Sequence, residues 1–175
     1  MESKQAEDMN SKFDKALEEL EKTLPKEMPS GCAEATMRNV LKILGTEDTR
    51  INNIMIPLSG RLGGYKSEKG WFGPCGAVVG GCGSVGVILG GKDNKALPPN
   101  LVLPAYLKSA QFAKEFEKEF GSVLCSDLSG YDFSDPNKIM EYIEKGIWGK
   151  QCYKYVLWAI DNVRKLMKKE LKKGW

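Results

Sequence analysis

The sequence predicts an all-α fold, a single-domain helical bundle built around a buried glycine-rich central helix. Apolar residues recur at helical spacing along most of the chain, and no segment of any length alternates with period two. The one long uncharged stretch, Gly73 to Gly91, has the length and the Ala, Val, Ile and Leu content of a buried helix. A chain of 175 residues can bury about 70% of its unfolded surface in one core, so neither a metal nor a disulfide is needed merely to fold it.

The elements follow in order. Residues 2–24 form an amphipathic helix with Met9, Phe13, Ala16, Leu17, Leu20 and Leu24 on one face, stopped by Pro25 and Pro29. This sets residues 1–28 apart as an N-terminal helix from residues 29–175, the cysteine-containing part of one compact domain. Ser30 offers an N-cap for a helix from Gly31 to about Leu44, closed by Gly45. A shorter helix is expected over Asp48–Leu58, and Gly60–Gly73 reads as a loop. Twelve of the 19 glycines fall between residues 60 and 91. Pro74 suits the first turn of a helix over Cys75–Leu89, in which Gly76, Gly80 and Ser84 place small residues on one face for close approach of a helix or a bound group. After a turn at Lys92–Asn100, Leu103–Phe120 is a helix burying Leu107, Phe112, Phe116 and Phe120. A loop with Cys125 leads to a short helix near Asn137–Lys145, and a last helix over Gln151–Lys172 carries Cys152, Tyr155, Val156, Ala159, Val163 and Leu166.

Composition excludes whole classes of chemistry. With no histidine, Ser-His-Asp and Cys-His mechanisms, His-ligated zinc and haem, and imidazole proton shuttles are all absent. The net charge of +3 is a weak asymmetry. Its basic run, Lys165, Lys168, Lys169, Lys172 and Lys173, reads as a solvated helix end, so no nucleic-acid partner is expected. The charged start MESKQAEDMN has no apolar core and is not a signal peptide. A cytoplasmic, reducing location follows, without stable membrane insertion; cysteines there serve as metal ligands or redox groups more often than as structural disulfides.

Gly81-Cys82-Gly83-Ser84-Val85-Gly86 satisfies G-x-G-x-x-G. Only three residues follow before Gly90-Gly91, and no carboxylate lies near position 106, where a ribose-binding acid belongs, so no nucleotide is expected. Asp127, Asp132 and Asp135 cluster in a turn-rich loop and read as caps of helices and turns. Trp71, Phe72 and Trp148 read as core or lid packing.

The five cysteines, Cys32, Cys75, Cys82, Cys125 and Cys152, contain no C-x-x-C pair. That excludes a zinc ribbon, a thioredoxin-type motif and c-type haem, but not a site assembled in space from several helices. Cys32, Cys75 and Cys152 each fall near a helix start, where unpaired N–H groups and the helix dipole favour the thiolate. Cys82, inside the apolar helix, reads as a small buried hydrophobe.

Ser30-Gly31-Cys32-Ala33-Glu34-Ala35, Cys75-Gly76-Ala77-Val78-Val79-Gly80, Phe120-Gly121-Ser122-Val123-Leu124-Cys125 with Asp127-Leu128-Ser129-Gly130-Tyr131, and Cys152 heading the last helix resemble the family of redox-active proteins named for its C-GCAxxG-C-C pattern. The resemblance spans about Pro29 to Val163. It implies a small, helical, usually cytoplasmic protein of bacteria and archaea, often encoded near transporters, with a redox role carried by Cys32, Cys75, Cys125 and Cys152. A related domain occurs in split-Soret cytochromes, which are dimeric and carry an iron–sulfur centre besides their haems. This chain has neither C-x-x-C-H nor any histidine, so haem is excluded, and Cys82, seven residues after Cys75, is an addition that puts the number of ligands in question.

Three functions follow as expectations. In the first, Cys32, Cys75, Cys125 and Cys152, with Cys82 as a further candidate, hold an iron–sulfur cluster or other metal for electron transfer, and Gly76 and Gly80 let backbone approach the sulfurs. In the second, the same four cysteines are the redox-active groups of a metal-free thiol–disulfide protein. In the third, the chain is a structural or interaction protein with core cysteines. A redox partner, association with a transporter and a homodimer are the partners these readings bring with them.

Overall fold

The computed structural model of the chain describes residues 2–69, 72–92 and 96–175. It is helical throughout: α1 (Glu2–Thr23), α2 (Cys32–Leu44), α3 (Thr49–Met55), α4 (Ser59–Gly64), α5 (Gly76–Gly90), α6 (Pro99–Phe120), α7 (Cys125–Ser129), α8 (Pro136–Glu144), a π-helical turn (Trp148–Cys152), α9 (Tyr153–Leu166) and α10 (Lys168–Gly174). Among the described residues there is no strand; two isolated antiparallel bridges pair Lys66 with Phe72 and Pro74 with Leu124.

The central helix is α5, packed against α2, α6 and α9. Its glycines are what let these neighbours approach. A Cβ at Gly80 would lie 2.7 Å from the Ala33 carbonyl oxygen, and one at Gly81 would lie 2.2 Å from the Phe112 ring. Phe112 and Phe116 are fully buried and meet Trp158 of α9 edge-on, at ring-centroid distances of 5.7 and 5.3 Å. Met9 and Phe13 bring α1 into the same core, and Leu24 just after it joins them. The uncharged stretch is thus an interior helix, and among the described residues no helix is long and apolar enough to cross a membrane.

Several expectations need correction. The α6 helix begins at Pro99, four residues before the expected Leu103, and carries Pro104 inside it. Leu107 is exposed, because at 100° per residue it lies about 180° around the helix from the buried Phe116. The last helix is broken at Met167, whose φ and ψ of −101° and 17° turn α10 back so that Leu171 and Trp175 are buried. Ser30 does not cap α2; the residue before Cys32 is Gly31, with no side-chain cap. The Ser59 hydroxyl, 26 residues away, accepts the Ala33 N–H at 3.0 Å instead. Gly31 is required there, since its Cβ would fall 2.2 Å from the Ser59 oxygen.

The expected loop at Gly60–Gly73 opens with a left-handed turn. Gly60, Arg61, Leu62 and Gly63 all have φ between 56° and 69°. For Arg61 and Leu62 this region costs roughly 1–2 kcal/mol each.

Candidate functional site: a buried four-thiol junction

Four segments place a cysteine at one end of the bundle. Cys32 is the first residue of α2, Cys75 the N-cap of α5, Cys125 the first residue of α7, and Cys152 the last of the π-helical turn. Cys75 and Cys125 are joined by backbone: the Cys75 N–H donates to Val123 O at 2.7 Å and the Cys125 N–H to Gly73 O at 3.5 Å, either side of the Pro74–Leu124 bridge. The α7 helix itself was not expected. Its Leu128 carbonyl accepts from Gln151 Nε2 and from the Tyr155 hydroxyl, which ties the Cys152 segment to the Cys125 segment. A Cβ at Gly76 would meet Ala33 N at 2.7 Å and Cys32 Cβ at 2.9 Å, so this glycine brings the starts of α2 and α5 together. Cys75, Cys125 and Cys152 are 3%, 7% and 5% exposed, and Cys32 is partly buried.

Burial and the neighbouring sulfurs set the direction in which each thiol is shifted. The Cys32 thiol donates to the Cys152 sulfur, which holds Cys32 well above the ordinary thiol range; burial and the charges of Cys75, Cys152 and Cys125 add to the rise. The same hydrogen bond, with another from the Tyr142 hydroxyl, lowers Cys152 against its burial. Burial and Cys125 push Cys75 up although the Ala77 and Val78 N–H groups favour its charged form. Cys125 is pushed up to about 12 by burial and Cys152, offset in part by the Ser129 hydroxyl and the Arg61 charge. Tyr142 is raised by burial and by the Cys152 and Cys32 charges.

The expected stabilisation of thiolates at helix starts is therefore present at Cys75 but outweighed by desolvation. For Cys152 it is absent in kind. The π turn begins at Trp148 and runs straight into α9, so the N–H groups there are used within the helical run. What favours a Cys152 thiolate is a pair of side-chain donors that only the folded chain assembles.

Cys82 stands apart. Its thiol donates to the Ser109 carbonyl of α6 at 3.7 Å, and no other cysteine acts on it. The seven-residue spacing misleads for two reasons. Cys75 is a cap outside the helix, and seven helical residues advance about 10 Å along the axis. Gly76 and Gly80, expected to admit either another helix or a buried group, admit the helix: the space is taken by Cys32, Ala33 and Thr36 of α2. Gly81–Gly86 lies inside α5, where backbone N–H groups are bonded along the helix.

Asp135 caps α8 by accepting the Asn137 N–H, as expected for a turn aspartate, while Asp132 pairs with Arg61 and Lys66. Asp127 accepts from the Ser122 and Ser126 hydroxyls. Trp148 is core, its indole N–H donating to Leu24 O, and Phe72 stacks under the Arg61 guanidinium at 5.3 Å. Trp71 lies outside the described residues.

Sequence reasoning placed Tyr155 on the patterned face of the last helix and quoted Ser129 within a motif, without a role at the site for either, and missed Tyr142, Gln151, Ser59 and Arg61. No local pattern marks Tyr142 or Gln151; the Ser-Gly-Arg-Leu-Gly-Gly run signals an unusual turn, though not what it carries.

A single tetrahedral metal ion would need thiolates about 2.3 Å from one point. Among the described residues, no three His, Cys, Asp or Glu side chains are placed to hold a metal ion. The donor set the chain offers is thiol only, with no histidine.

The molecule is thus a small helical protein in which four segments each bring a cysteine to one end of the bundle, three of them buried and Cys32 partly so. The chain belongs to the C_GCAxxG_C_C family, described as "Putative redox-active protein", whose model matches residues 31–166. No curated protein and no solved structure matches it.

Proposed function

We propose that the protein is an electron carrier of a reducing, cytoplasmic compartment whose centre is an iron–sulfur cluster held by Cys32, Cys75, Cys125 and Cys152. What supports this reading is the family match over residues 31–166 and the placing of Cys32, Cys75, Cys125 and Cys152 on four segments that pack together, three of the four buried and Cys32 partly so. A cationic cluster offsets the repulsion and desolvation that four buried thiolates would otherwise suffer. Burial also favours electron transfer, which needs no direct contact of sulfur with a substrate. Such a cluster supplies one-electron transfer when bound. The Tyr142 hydroxyl would orient the Cys152 sulfur, the Ala77 and Val78 N–H groups the Cys75 sulfur, and the Ser129 hydroxyl the Cys125 sulfur.

One observation favours a second reading, metal-free dithiol chemistry: Cys32 and Cys152 are hydrogen-bonded thiol to thiol, with Cys152 the more acidic. The Cys152 thiolate would attack a substrate disulfide, releasing one substrate thiol. Cys32, losing its proton, would then attack the Cys152 sulfur, forming the Cys32–Cys152 disulfide and releasing the second thiol.

Anaerobic purification with iron, sulfide and absorption measurements separates the two. Stoichiometric iron and sulfide, with Cys82 alone open to alkylation, supports the cluster. A colourless protein with five alkylatable thiols, converted by a disulfide substrate to a Cys32–Cys152 bond seen by mass spectrometry, replaces it with the second reading.

A further inference from the structure

The N-terminal half of α6 turns an apolar face to solvent. Val102, Leu103, Tyr106 and Leu107 are 40%, 64%, 71% and 62% exposed. At 100° per residue they fall within an arc of about 140°, and Ala110, also exposed, lies near its midline. Residues 96–107 contain no charged side chain, in a chain of which 28% is charged. Helix faces open to water are normally polar, so an uncharged one with four large apolar side chains marks a surface that something covers.

Charge and area both favour a second copy of this chain as the occupant. Helices that lie on anionic lipid carry Lys and Arg beside the apolar face. Here Lys108 is turned onto its own molecule, at 3.1 Å from Leu166 O and 3.6 Å from Glu170, and Lys114 and Lys118 are interleaved with Glu115, Glu117 and Glu119. An uncharged face also spares two identical chains of net charge +3 from repelling each other where they touch. The four side chains expose about 450 Å² between them, taking roughly 200 Å² for one whole large side chain. A stable interface buries about 800 Å² per partner, about 65% of it apolar in homodimers, so this face supplies most of the apolar share.

We propose that this face of α6 is the self-association surface of the protein, two copies meeting antiparallel across a two-fold axis between Tyr106 and Leu107. That register sets Tyr106 against Leu107 of the second copy and Leu103 against its Ala110, a large side chain over a small one. The cysteine end of the bundle stays free, because Phe120, which packs on Tyr155 there, lies about 20 Å further along α6. Pairing at this face is therefore independent of which redox chemistry the cysteines carry.

The test is sedimentation velocity on the full chain at up to about 100 μM, with reductant present so that disulfides cannot join two copies. The parent is expected at twice its 19.4 kDa. It should stay there in about 1 M salt, which screens charge pairs but does not weaken apolar burial. Leu103→Glu puts a carboxylate into the centre of the face and weakens association about a hundredfold or more. The helical circular dichroism should not change, since the position is exposed in one copy. Ile54→Glu, at a site on α3 that is 62% exposed, leaves the dimer intact.

A second variant reads the register. Ala110→Lys added to Leu103→Glu sets a cation against each new carboxylate across the axis and should recover about tenfold in affinity. No recovery overturns the antiparallel dimer. A parent that is monomeric throughout overturns it as well, and if that monomer sediments with phosphatidylglycerol vesicles while Leu103→Glu does not, the face belongs to a membrane instead. A dimer that Leu103→Glu leaves unchanged, or that Ile54→Glu breaks as readily, places the interface elsewhere and overturns the proposal too.

Discussion

Cys75 and Cys82 sit at the start and the middle of the same helix and have opposite surroundings. At the start of α5, backbone pairing to the α7 segment and the close crossing with α2 place Cys75 near other cysteine-bearing segments, and the charges of Cys125 and Cys152 act on it. In the middle of the helix, Cys82 has one long contact to a carbonyl of α6. Residue type and helix are shared, so the difference lies in what other segments end there. The N-terminal end of α5 is where four chain segments begin or finish, and a multi-ligand site can be built only where several segments meet.

The sharpest way to break that comparison is to remove one thiol from each place. Cys75→Ser is expected to abolish iron and sulfide binding, whereas Cys82→Ser retains it in full. Metal and sulfide analysis of the two variants decides, and cluster retention in Cys75→Ser would remove Cys75 from the ligand set.

The glycines offer a second contrast. Gly80→Val forces side-chain atoms into Ala33 and Thr36 of α2 and should destabilise by about 2–3 kcal/mol. Gly86, further along the same helix, has nothing within 4 Å of an added Cβ. Gly86→Ala should stabilise by about 0.5–1 kcal/mol, through helix propensity and a less flexible unfolded chain. Urea unfolding of both variants reads the two signs.

The smallest expected effect is in the acid limb of the stability profile. Asp132, near the cysteine end, is held well below the ordinary carboxylate value of 3.8 by the Ser134 hydroxyl and N–H, then by Lys66 and Arg61. Its folded value is depressed, so its contribution is present above the ordinary value and fades as pH falls below it. Asp132→Asn should flatten this part of the curve between about pH 5 and pH 3; an unchanged slope in urea midpoints would mean the ties are too exposed to matter.

Most helices were legible because amphipathic periodicity is a local property. Phe13, Val40, Phe112, Phe116, Val156 and Val163, all expected on buried faces, are fully buried. Helix ends were less legible. The α6 helix begins before the expected Leu103 and runs through Pro104, since a proline early in a helix sacrifices only one backbone bond. The 3.6-residue pattern of the last helix gave no sign of the break at Met167, which is set by what Leu171 and Trp175 pack against.

The residue types present, and above all five thiols with no histidine, were determined by the sequence by itself, which bounds the chemistry before any fold is known. It also located α5 as the core helix, since a long uncharged run must be buried. Only the tertiary structure decided that four of the five cysteines come to one end of the bundle, that side-chain hydrogen bonds lower Cys152 while burial raises Cys75, and that the Arg61 charge offsets part of the rise at Cys125. Those outcomes depend on hydrogen bonds and charges between residues up to 120 positions apart, such as Cys32 with Cys152. Local pattern carries no record of such distances, because they are fixed by how helices cross.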